Sequence, residues 1–228
     1  MDSMYEILMG LPLFNGVSYN RISEIVGSTP LSFLKYLPGE PVINAGEACT
    51  QLKFIISGSV RTSVANHNDR FKVDSTLRAP SVIMPDYLFG RTTVYPCKAT
   101  AVDTVSIMQI SKQEFTRLLR NDEVFLFNFL NILSSDAQKA VDGVMALSTG
   151  SLEERLAYWI LALTQRDSTE IVMSCKQRDL YSVFGVQRSS FIAMLDSLAA
   201  RGIIKYSPGE IRIVSRELLA NLLLSSHD

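Results

Sequence analysis

Histidine is the scarcest chemical resource in this chain: His67 and His227 are the only two in 228 residues. A catalytic metal in a small β-barrel needs several His and carboxylates converging on one point. A β-barrel metal-dependent enzyme is therefore the weaker rival reading, and no G-x-S-x-G elbow or P-loop offers another chemistry. The expectation is a protein that is not an enzyme. Cysteine is also sparse. Cys49, Cys97 and Cys175 are widely spaced and form no C-x-x-C, which argues against a disulfide frame, a zinc site or an iron–sulfur cluster. No apolar run approaches the roughly 20 residues that cross a bilayer. The start of the chain carries Asp2 and Glu6 where a secretory signal would be basic. These absences predict a cytoplasmic protein with no membrane partner. Net charge is lacking too, at −1, so any affinity for a polyanion must come from a local patch. Repeats and low-complexity tracts are absent. The length is long for one compact domain and suits two.

What is present is concentrated between Lys176 and Leu198, KQRDLYSVFGVQRSSFIAMLDSL. Leu180 and Phe184 share one helical face, and Phe191, Met194 and Leu195 make a second. Gly185 between them can take the positive φ that ends the first helix. Two short helices around a glycine turn predict a helix-turn-helix. Gln187, Arg188, Ser189 and Ser190 then fall in the first turn of the second helix, the end that enters a major groove, where Arg can pair with guanine O6 and N7. From Ser174 to Arg216 there are seven Lys or Arg against three acids. Lys176, Gln177, Arg178 and Lys205 join the predicted contact set, with the lysines and Arg178 meeting phosphates. Tyr181 is a misfit where the helices cross, and predicts a slight splay. After these helices, 202–206, a Pro208-Gly209 turn and 211–214 predict a β-hairpin, the wing of a winged helix.

Upstream, residues 4–27 read as helical, broken at Pro12 and near Gly16, with Ser18 capping the second piece. From Leu31 the period becomes strand-like, with segments at 33–37, 52–57, 59–65, 70–78 and 99–110 separated by turn residues. Many short strands over about 80 residues predict an all-β sandwich or barrel. Ser111 with Glu114, and Ser151 with Glu154, have capping-box spacing. The first opens a helical pattern reaching Leu147, with a break near Asn121-Asp122. Within it Leu126, Leu130, Leu133, Ala137, Ala140, Val144 and Leu147 step by 4 and 3, the seam of a coiled coil and hence of a homodimer. Phe127, Phe129 and Val141 lie beside that seam. The second opens a helix whose Leu156, Trp159, Ile160 and Leu163 should pack beneath the helix-turn-helix.

LPLFNGVSYNRISEIV followed by LPGEPVINAGEACTQLKFIISGSV resembles the start of the cyclic-nucleotide-binding β-roll in the Crp/Fnr family of bacterial transcription regulators, with the winged helix in that family's position. The resemblance implies an α+β fold: an N-terminal double-stranded β-roll sensor at 1–110, a long coupling and dimerisation helix at 111–149, and a C-terminal winged helix-turn-helix at 150–228. It also implies palindromic operator DNA and RNA polymerase as partners, leaving activator or repressor open.

In cyclic-nucleotide-binding relatives a Glu on a short helix meets the ribose and an Arg the cyclic phosphate, with hydroxyls from the long helix meeting the base. The matching positions here are Pro85, Lys98 and the pair Ala140–Val141, three departures that argue against cyclic AMP. Asp86, Arg91, Lys98 and Thr100 remain as polar candidates for another effector. A haem- or redox-sensing regulator is the alternative, with Met84, Met108, Cys97 and His67 as the available ligands.

Overall fold

The computed structural model describes residues 4–66 and 70–224, except for the side chains of several residues between 139 and 149 and of Leu224. The chain divides into two compact units, 1–61 with 77–137, and 62–76 with 138–228.

The first unit opens with α1 (Met4–Met9), a 3-10 turn at Pro12–Phe14 and α2 (Tyr19–Ser28). Ser18 caps α2 by accepting the Arg21 N–H, as its position predicts. Strands β1 (Leu31–Tyr36), β2 (Pro41–Ile43), β3 (Gln51–Ser57) and the inner ends of β4 (Ser59–Ala65) and β5 (Phe71–Arg78) follow. Next come β6 (Ser81–Ile83), a 3-10 turn at Pro85–Tyr87, β7 (Lys98–Ala101) and β8 (Val105–Ser111). One antiparallel sheet has the order β1-β8-β3-β6, and β2 pairs antiparallel with β7. The expected strand at 99–110 is thus two strands, because 102–104 breaks it. Strands β2 and β6 escape an alternation test because each has only three residues.

Ser111 caps α3 (Lys112–Asn121) by accepting the Glu114 N–H, but the Glu114 carboxylate turns to Arg117 at 2.7 Å. At Asp122 the chain leaves helical geometry, and α4 (Glu123–Thr149) begins. Phe125 stacks edge-on against Phe14 at 5.0 Å, and Phe129 does so against Phe115 at 5.2 Å. The first turns of α4 are thereby fastened to the roll's own core.

The second unit holds α5 (Leu152–Ala162), β9 (Thr169–Cys175), α6 (Gln177–Val183), α7 (Arg188–Ala200), β10 (Ile204–Ser207), β11 (Glu210–Ile213) and α8 (Arg216–Leu224). Ser151 and Glu154 form the full reciprocal capping box. Leu156, Ile160, Leu180, Phe191, Leu195 and Leu198 are buried in one core, with Trp159 packed at its margin. Its sheet runs β10-β11-β9-β5, where β5 contributes its outer half. Sequence reasoning missed β9, although its inward residues Ile171, Met173 and Cys175 alternate.

Candidate nucleic-acid interface

The turn between α6 and α7 decides what α7 presents. Gly185 stands at φ +64°, between the end of α6 and the start of α7, so the chain reverses there without a Cβ clash. Phe184 and Phe191 turn inward and stack at 6.3 Å, which fixes the two helices against each other. Gln187, at the N-cap, and Arg188, Ser189 and Ser190, in the first turn, are left exposed together. Tyr181 fits beside this contact, its ring 6.4 Å from Phe191.

Two braces hold α6 and α7 in the unit. Arg155 on α5 donates to the Phe184 carbonyl at 2.9 Å and lies over the Phe184 ring at 5.4 Å. The Tyr206 hydroxyl on β10 donates to Asp196 on α7 at 2.5 Å, tying the wing to the recognition helix. That hydrogen bond raises the Tyr206 pKa. The wing is the hairpin its turn dipeptide predicts, with Ser207 opposite Glu210. Lys176 and Arg178 are exposed at the start of α6, and Lys205 is exposed on β10. Gln177 is half-buried and donates to the Ser207 carbonyl, so it supports the wing.

The other predicted set behaves differently. Pro85 opens the 3-10 turn and contributes no N–H, Asp86 and Arg91 are exposed, and Lys98 is exposed at the start of β7. Thr100 pairs opposite Pro41 in the sheet. Packing around its carboxyl lifts the Asp86 pKa although the residue keeps surface access, and the charge of Asp136 on α4 adds to the rise. Among the haem candidates, Cys97 and Met84 are buried with their sulfurs in contact at 3.7 Å. Met108 lines a separate apolar cavity with Leu8, Phe14 and Ile25. His67 lies outside the described residues. No group of three potential metal ligands occurs among the described residues.

Residues 33–122 match the cyclic nucleotide-binding domain family, and 154–222 match the Crp-like helix-turn-helix domain. The chain belongs to the Crp/Fnr family. It is accordingly a DNA-binding transcription regulator of the Crp/Fnr type. The cyclic AMP receptor protein of Thermus thermophilus is 22% identical over 223 residues, 94% of this chain and 98% of that protein. The Thermus thermophilus catabolite activator protein structure superposes with a TM-score of 0.55 at 19% identity, covering 94% of this chain and 99% of that one. The sensor domain of the regulator DNR from Pseudomonas aeruginosa gives 0.52 at 19%, over 64% of this chain and 93% of its own. At these identities the structural likeness establishes the Crp/Fnr fold alone. Among the described residues no helix is long and apolar enough to cross a membrane.

Proposed function

We propose that the chain is a cytoplasmic homodimeric regulator, not an enzyme, that reads a palindromic operator through Gln187, Arg188, Ser189 and Ser190. The exposed polar turn at the start of α7 carries this reading. In this reading Arg188 meets a base edge, while Lys176, Arg178 and Lys205 meet phosphates. Residues 1–110 form the sensor, 111–149 couple the halves, and 150–228 read DNA. Its effector is not cyclic AMP, since Pro85 and exposed Lys98 stand where a carboxylate and a buried guanidinium would be needed. Contact with RNA polymerase follows from the family.

Selection from random DNA tests the site. Wild type should enrich a palindrome with half-sites about one helical turn apart. Arg188→Ala should relax preference at one base position per half-site and weaken binding by about 1–3 kcal/mol for each. Identical preferences in the two proteins would remove Arg188 from base reading.

A further inference from the structure

The outer half of the β4–β5 hairpin belongs to the DNA-binding unit. Strand β5 lies antiparallel on β9, with Phe71 opposite Cys175, Lys72 opposite Ser174, Val73 opposite Met173 and Asp74 opposite Val172. The register then slips, and Thr76 meets Thr169. Of the segment 62–76, only Phe71 and Val73 join the unit's described apolar cluster. The remainder of the junction is held by hydroxyls: Thr62 to Ser75 at 2.8 Å, Ser75 to Ser168 at 3.2 Å, and Thr76 to Glu170 at 3.0 Å. One Asp74 carboxylate oxygen is buried there without a hydrogen-bond partner. This is a docked strap, polar along most of its length and seated by one aromatic ring.

That ring begins a line of aromatic contacts. Phe71 meets Trp159 edge-on at 5.2 Å, and Trp159 meets Phe184 edge-on at 5.9 Å. Phe184 ends α6 and stacks on Phe191, which lies one turn beyond Arg188. Trp159 is therefore wedged between the strap and the turn of the helix-turn-helix. Removing the Phe71 ring opens a space on one side of the indole, and interiors of this density transmit such a gap to the neighbouring groups.

We propose that Phe71 is a positioning residue for DNA recognition: docking of residues 70–76 on β9 and Trp159 holds the first turn of α7 in its DNA-reading position. This rests on the DNA-binding reading above. The readout is specificity as well as stability. The test uses full-length protein and the operator obtained by selection. Phe71→Ala should lower operator affinity about tenfold while leaving affinity for unrelated DNA, and its salt slope, unchanged; Phe71→Tyr should restore the operator affinity. An unchanged ratio of operator to unrelated affinity in Phe71→Ala would overturn the proposal.

Should Phe71→Ala fail to fold, Lys72→Cys with Ser174→Cys provides the second arm, since directly opposed strand residues suit a disulfide. Cys175 is buried on the opposite face of β9 from position 174. Oxidised and reduced forms should bind the operator alike. Loss of binding on oxidation would mean that the docked strap is the DNA-incompetent arrangement, and would also overturn the proposal. If wild type itself enriches no sequence, the DNA-binding reading has failed first, and the role of the strap falls with it.

Discussion

Gly58 joins β3 to β4 at φ +81°, where an added Cβ would lie 2.5 Å from the Thr104 carbonyl oxygen and 2.6 Å from an Asp103 carboxylate oxygen. That carboxylate oxygen already accepts the Ser59 N–H at 2.7 Å, so it cannot retreat freely. Gly58→Ala should cost about 2–3 kcal/mol, from left-handed strain and from the displaced contact, read as a lower urea midpoint at unchanged slope. A midpoint equal to wild type would mean that the loop at 102–104 gives way easily. Lys53 presents the opposite problem. It is 7% exposed, and its ammonium donates to the neutral Gln109 side chain at 3.0 Å. Burial lowers its pKa from 10.5, with Glu47 opposing in part. Between the folded value and 10.5 the unfolded chain binds the extra proton, so this group makes stability rise with pH across that interval. Measured against Lys53→Met, wild type should gain stability as the pH rises toward 10.5. Parallel profiles would show that the buried ammonium titrates normally.

At the scale of elements, α4 offers two versions of its seam. Leu126 and Leu133 are half-buried, whereas Phe127 is 60% exposed, Leu130 45%, Val141 65% and Val144 62%. Exposed apolar positions include 127, 130, 137, 141 and 144, a heptad stripe turned by one residue at alternate steps, with Val124 and Met145 exposed beside it. The side chains of Ala140 and Leu147 are outside the described set, so those two seam positions stay with the proposal. Leu130 lies on both versions. Leu130→Asp should lose several kcal/mol of dimer association, since a charge would sit beside its own copy at a two-fold axis. Sedimentation at micromolar concentration checks this, and an intact dimer would remove the seam. Every apolar residue on such a helix has a face to fill, and the sequence does not show that Phe125 and Phe129 pack on Phe14 and Phe115. The helix-turn-helix was legible for the converse reason: Gly185, the inward Phe184 and Phe191 and the polar turn are local features. Strand β9 was hidden because the partner that completes it, β5, is far away in sequence.

For the whole molecule, the order of roll, long helix and winged helix could be read from the chain, while the route by which residues 62–76 join the C-terminal unit could not. Nothing in the 70–78 alternation says which sheet the strand serves. The bond from Ser75 to Ser168 spans 93 positions. During synthesis the hairpin therefore emerges long before the strand that receives it, and waits with one edge unfilled. A fragment cut at residue 150 has the converse fault: β9 would present bare N–H and C=O groups beside Ile171 and Met173, a template for other chains. Such a fragment should aggregate at concentrations where the full chain stays dispersed, as light scattering would record. Adding a peptide of residues 59–78 in trans should suppress that scattering, because the missing strand of the C-terminal unit is encoded in the N-terminal half of the chain.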